Sequence, residues 1–144
     1  MNSSDPTSIL SPTELNQLLS GIFPGSERLF SVDSTSHEGI VLRCKPTEKH
    51  LRPGGTVSGP LLMAMADTAM YLAIFSRLGL VTMAVTTNLN INFLRKAPHG
   101  ELVGKTRILK IGSRLAVGDV TIYPAIGDEP VAHASVTYSI PPRT

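Results

Sequence analysis

Tryptophan is absent from this 144-residue chain, and cysteine occurs once, at Cys44. A single thiol excludes an intrachain disulfide and any cysteine-rich zinc site; in a strand-like run, Cys44 reads as a small core residue. Charge is sparse at 17%, against 42% apolar residues, a balance that argues against disorder. No apolar run is long enough for a membrane span: residues 61–75 are the longest nearly uncharged stretch, and they carry Asp67 in their middle. The opening MNSSDPTSIL has neither the basic start nor the apolar core of a signal peptide. His37, His50, His99 and His133 show no metal-ligand spacing. There is no internal repeat. The expectation is one cytoplasmic domain over residues 1–144, with no metal and no membrane partner.

The net charge of +2 says little, but its distribution says more. Arg95, Lys96, Lys105, Arg107, Lys110 and Arg114 lie in one stretch of sequence that contains a single acid, Glu101. Such a zone holds phosphates or forms a solvated strand face. Only Phe93 and Tyr123 lie near it, too few for single-strand stacking, and no helix-turn-helix or zinc-finger spacing is present. Nucleic acid is therefore not an expected partner.

Residues 1–10 read as a flexible tail. Ser11-Pro12-Thr13-Glu14 then has the form of a capping box with proline in the first turn. Leu15, Leu18, Leu19 and Ile22 follow at helical spacing, giving an amphipathic helix over 11–22. Strand-like runs occupy 29–34 and 39–44. Residues 45–60 form a long turn-rich loop, a length that is usually functional within a compact domain. Residues 61–78 are apolar on nearly every side and predict a helix buried all round, stopped at Gly79. Four strands follow, at 83–94, 102–111, 114–123 and 131–140, with links short enough for antiparallel pairing. The first alternates Met83, Val85, Thr87, Leu89, Ile91 and Phe93 against a polar face containing Thr86, Asn88, Asn90 and Asn92. An α+β fold, its antiparallel sheet wrapped around one long helix, accommodates this order.

The segment Thr56-Val57-Ser58-Gly59-Pro60 followed by Met65-Ala66-Asp67-Thr68-Ala69 resembles the loop and central helix of the PaaI-like acyl-CoA thioesterases of the hot-dog fold. The likeness continues through 86–91, 93–97 and 110–114, covering roughly residues 40–140. The family's His-Gly-Gly stands here as Ser58-Gly59-Pro60, and a polar position often filled by asparagine is Arg52. The resemblance implies a hot-dog fold, thioester hydrolysis and a dimer, often a dimer of dimers. It also implies that Thr86 assists the attacking water; the alternative is an ordinary polar strand residue.

Asp67 lies mid-helix among Met63, Ala64, Met70 and Tyr71, where a carboxylate loses water and its pKa rises unless partners are supplied. It is either a satisfied structural acid or the group that acts on a thioester. Gly59 and Pro60 suit a loop-to-helix joint; equally, the Gly59 N–H sits where a helix start favours developing negative charge. Thioester hydrolysis needs an oxyanion donor and a carboxylate that attacks or activates water, and Gly59 and Asp67 fit those roles. Eight helical residues separate them, roughly 12 Å, too far for one carbonyl to meet both within one chain. Two antiparallel chains about a twofold axis bring Gly59 of one near Asp67 of the other, which predicts an obligate dimer.

Arg52, Ser58 and Pro60 join these as candidate substrate contacts, with Asn88 and Asn90 lining the interface or the channel. Arg95, Lys96, Lys110, Gly112, Ser113 and Arg114 are candidates for the phosphates of coenzyme A, which is part of the substrate, so no separate cofactor is expected. Leu62, Met63, Met70 and Tyr71 are candidates for the acyl pocket. Two other functions compete. His50-Leu51-Arg52-Pro53-Gly54 faintly resembles the His-x-x-Pro-Gly loop of hot-dog hydratases and dehydratases. The missing histidine before Gly59 keeps a non-catalytic acyl-CoA binding module in view.

Overall fold

A computed structural model describes residues 9–142. Most of the expected tail lies outside the described residues, but Leu10 is buried and its N–H bonds the Ser76 carbonyl at 3.0 Å, so the chain docks before the first helix begins. That helix, α1 (Pro12–Ile22), starts as its sequence requires: Ser11 Oγ accepts from Glu14 N–H and the Glu14 carboxylate accepts from Ser11 N–H, both at 3.1 Å. Leu15 and Leu19 are its buried stripe.

Strands β1 (Phe30–Ser36) and β2 (Gly39–Cys44) precede the loop, and α2 (Gly59–Leu78) follows it. β3 (Val85–Phe93), β4 (Leu102–Ile111), β5 (Leu115–Pro124) and β6 (Ala132–Ser139) complete one antiparallel sheet of order β1-β2-β4-β5-β6-β3. Ser58 caps α2 through its hydroxyl, and Gly79 ends it at φ 84°, a value that favours glycine. The sheet wraps α2, with Met65, Ala66, Ala69, Met70 and Ala73 fully buried against it. This is the hot-dog fold. By length and apolar character α2 alone among the described helices would cross a bilayer, yet most of it is enclosed by the sheet, as a core helix is.

Burial of α2 is not all round. Pro60, Met63 and Ala64 are exposed and Asp67, Thr68 and Tyr71 half-buried, one stripe at helical spacing that the sheet leaves bare. β3 departs from expectation too. Its pairing with β6 shifts at Thr87, the extra residue of a bulge between Thr86 and Asn88. Thr86 therefore stands opposite Tyr138 on the helix side, while Asn88 and Asn90 stand opposite Thr137 and Ser135 on the outer face. Thr86 and the asparagines do not share a face, and Asn88 and Asn90 do not point with Thr86 toward α2. The strand is exposed along nearly its whole length, with only Leu89 and Ile91 half-buried.

The two edges of the sheet differ. At β1 the Asn16 side chain of α1 acts as a substitute strand: its amide nitrogen donates to the Val32 carbonyl (3.2 Å) and its oxygen accepts from Val32 N–H (2.7 Å). At β3 nothing among the described residues covers the edge. Inside the sheet, Gly39 lies so close to β4 that a Cβ would collide with the Thr106 carbonyl. Gly39→Ala is expected to cost about 3 kcal/mol, read as a lowered midpoint in urea unfolding.

Candidate active site

α2 sets the position of Asp67 two turns in from its start, on the bare stripe. The bulge at Thr87 turns the Thr86 hydroxyl toward it, and Thr86 Oγ1 donates to Asp67 Oδ1 at 2.6 Å. Tyr138 reaches the same oxygen from β6, its hydroxyl donating at 2.7 Å and lying 3.1 Å from the Asp67 carbonyl. Asp67 Oδ2 has no hydrogen-bond partner among the described residues. One oxygen of the carboxylate is thus pinned by two hydroxyls of its own chain, and the other is left for a guest. Burial pushes the Tyr138 phenol far above its usual range, with Thr86 pulling it back and the Asp67 carboxylate adding to the rise. Tyr138 therefore stays a proton donor through any working pH.

Asp67 and Thr86 open on a pocket of about 350 Å³ whose other walls include Phe23, Tyr71, Ala84 and Tyr138. Tyr71 is held by its hydroxyl, which donates to the Thr82 carbonyl at 2.7 Å, and its ring stacks on Tyr138 with centroids 5.7 Å apart. Of the side chains expected at an acyl pocket, Tyr71 is here. Met70 is sealed in the core, Met63 faces outward and Leu62 borders a different cleft. Thr86→Val or Tyr138→Phe removes one anchor of Asp67, and each is expected to lower turnover at this site about tenfold, measured as kcat at saturating substrate.

That second cleft, about 780 Å³, gathers Arg52, Ser58, Gly59, Pro60, Arg95 and Lys96 at the start of α2. The Gly59 N–H lies in the first helical turn, where no helical acceptor exists for it. Its α-carbon is not open to a ligand from every side, because a Cβ there would lie 3.3 Å from the Phe93 ring. The sequence explains Gly59 by close approach, and the chain's own Phe93 is one partner in that approach. Arg95 is already engaged, donating to the Pro130 carbonyl (2.7 Å) and pairing with Glu129 (3.2 Å).

Gly112, Ser113 and Arg114 form the β4–β5 turn, closed by Gly112 N–H to the Leu115 carbonyl at 2.8 Å. They line a third hollow beside Leu78, at the far end of α2, and Lys110 is exposed on the strand leading to it. The basic zone of the sequence is therefore not one patch. Lys105 and Arg107 face the outer side of the sheet, Lys105 over the Tyr123 ring and Arg107 paired with Asp119 at 2.9 Å.

His50 does not reach toward Asp67: its Nδ1 accepts from Thr47 N–H at 2.9 Å and closes a one-turn helix in the loop. Burial pushes the Cys44 thiol up to about 12, so it stays protonated in the core. No group of three or more potential metal ligands is clustered among the described residues. Tyr138 and Phe23 are aromatic pocket residues that the sequence did not reveal, as it did not reveal Thr68, Ala84 and Val85. A signal existed for Tyr138 alone: it follows Ala132, Ala134 and Val136 on an inward face, and a buried tyrosine needs a partner for its hydroxyl.

Residues 54–131 match the sequence pattern of the thioesterase superfamily. The chain belongs to that superfamily. Among relatives of this thioesterase-superfamily chain is a Pseudomonas aeruginosa protein classed by name among the esterases, 35% identical over 104 residues, which span 71% of this chain and 75% of that one. A solved structure from Silicibacter sp. TM1040, classed by name among the thioesterases, is 40% identical with a TM-score of 0.87, covering 96% of this chain and 97% of that one. A Haemophilus influenzae thioesterase at 20% identity and TM-score 0.82, covering 94% of each chain, shares the fold. Hydrolysis of thioesters or esters is the activity that membership supports.

Proposed function

We propose that the protein is an acyl-CoA thioesterase, with Asp67 as general base and the Gly59 N–H of the partner subunit as oxyanion donor. The observation that carries this reading is the Asp67 carboxylate, pinned at Oδ1 by Thr86 and Tyr138 and unpartnered at Oδ2 on a pocket wall. Oδ2 takes a proton from water as the water oxygen bonds to the thioester carbon. The carbonyl oxygen becomes an oxyanion, which a helix-start N–H stabilises. The C–S bond then breaks, and the proton passes from Asp67 to the leaving thiolate, giving a carboxylic acid and free coenzyme A. Thr86 acts by holding Asp67, since its hydroxyl hydrogen is committed to Oδ1.

What supports a dimer is the bare stripe of α2 together with the open β3 edge, where Val85 and Phe93 are more than half exposed. Pairing β3 with β3 of a second copy, α2 antiparallel to α2, covers both and joins the start of one helix to the middle of the other. The phosphate-binding candidates divide in the same way. Arg52 and Lys96 lie at one end of α2 and Arg114 at the other, so the antiparallel arrangement sets them beside one substrate. The substrate is the cytoplasmic acyl-CoA pool, with no metal, separate cofactor, membrane or nucleic acid in the reading.

The test is a thiol-release screen over short, long and aryl acyl-CoAs, with native mass measured in parallel. Free thiol from at least one class and a mass of twice the chain or more are expected. An enoyl product without thiol marks a dehydratase instead. Tight binding without turnover marks a binding module, and a monomeric mass removes the shared site.

A further inference from the structure

The pocket beside Asp67 has one wall unlike the others. Tyr71 is fixed by its hydrogen bond to Thr82 and by ring contacts to Phe75 (4.5 Å) and Tyr138. Tyr138 and Thr86 are tied to Asp67 itself. Ala84 is buried and small. Thr68 and Val85 complete the lining, Val85 on the β3 edge that a second copy would cover, and Phe23 is the aromatic wall without such a tie. It follows α1 as its C-terminal cap, its backbone held by Leu19 and Ser26, while the residue is 49% exposed. Among the described residues its one ring neighbour is Tyr71, with centroids 6.2 Å apart and planes tilted by 56°.

The geometry points to Phe23 as the residue that sets the length of acyl chain the enzyme accepts. The inference rests on the thioesterase reading, because it takes the thioester carbonyl to lie at Asp67. From there to Tyr71 is one turn of α2, roughly 6 Å along the axis, and the Phe23 ring packs beside Tyr71 on the same pocket. An acyl chain leaving the carbonyl runs past the open edge of the half-buried Tyr71 and meets the Phe23 ring, which lines the same pocket. Up to that ring each methylene replaces water with aromatic surface and gains affinity. Past it, the chain must displace the ring or bend into solvent. A half-exposed phenylalanine at a helix end is an expensive residue to leave in water unless a guest covers it, and the acyl terminus is such a guest. The backbone of Phe23 bonds Leu19 and Ser26, outside the catalytic elements, so this wall can change in size without moving Asp67, Thr86 or Tyr138.

Two series test it. In the first, kcat/KM is measured for straight-chain acyl-CoAs from acetyl to lauroyl. In the second, calorimetry follows binding of the uncleavable S-ethyl to S-dodecyl thioethers of coenzyme A. Phe23→Ala is expected to raise the long-to-short ratio about tenfold in both series, Phe23→Leu by less, and Phe23→Trp to lower it. An unchanged ratio in the three variants, with thiol release intact, overturns the role of Phe23 and leaves the thioesterase standing. Absence of thiol release from the unmodified protein overturns the thioesterase, while the thioether series still reads the Phe23 wall. No binding of any thioether by the unmodified protein overturns the wall as well.

Discussion

Asp67→Asn is expected to lower kcat for acyl-CoA hydrolysis by about a thousandfold, within the range that a positioned general acid or base contributes. The replacement keeps shape and hydrogen-bonding capacity. The amide oxygen still accepts from Thr86 and Tyr138, whose hydroxyls now hold Oδ1 at 2.6 and 2.7 Å. What is lost is the basic oxygen: the amide nitrogen that replaces Oδ2 carries hydrogens and cannot take one from water. Binding contacts elsewhere remain, so KM and the thioether affinities should stay within a few-fold of the original. Urea unfolding should give a midpoint near that of the unmodified protein, because the hydroxyl pair keeps its acceptor. Turnover retained at more than a tenth of the original rate would remove Asp67 from the chemistry and return it to the role of a structural acid.

The second large effect is a gain. Gly59→Pro deletes the N–H proposed as oxyanion donor. Ser58 already has the extended backbone that a following proline requires, at φ −73° and ψ 150°, and proline suits a first helical position. The new ring presses on Phe93, which is half exposed and has room to turn. Loss of one such donor is expected to cost about a hundredfold in kcat. This variant and Asp67→Asn are then each nearly inactive alone. Unfolded together and refolded, they form mixed dimers in which one of the two sites takes Asp67 from one chain and Gly59 from the other, both intact. Random pairing makes half the dimers mixed, so activity should recover to about a quarter of that of the unmodified protein. Recovery to that level is possible only when the two groups come from different chains; no recovery, with mixed dimers seen by native mass, means that each chain carries its own complete site.

Much of the fold is written in local chemistry. The capping box at Ser11, the stop at Gly79 and the turn at Gly112-Ser113 each need only neighbours a few residues away, and each stands where its residue types place it. The long apolar helix also predicts its own covering sheet, since nothing else in a chain this size can bury it. The face of Thr86 was not legible. Unbroken alternation puts it with Asn88 and Asn90, and one extra residue at Thr87 reverses that, because a slip of one position moves a side chain to the other side of a sheet. Asp67 stands out as an acid in an apolar helix, but its partner Tyr138 is 71 residues away in sequence and appears only once β6 lies beside β3. Phe23 carries no signal at all: it reads as the residue after a helix, and its place at a pocket comes from α1 folding back over the chain.

The unequal edges of the sheet bear on how far assembly can proceed. An amide from α1 occupies backbone groups on the outermost strand at one side, while the opposite margin keeps its main-chain donors and acceptors available. Two copies zipped along that margin use it up, and the flanks they leave are those where an α1 amide already fills the main-chain groups of Val32. Concentrated solutions should therefore hold closed particles rather than growing ribbons.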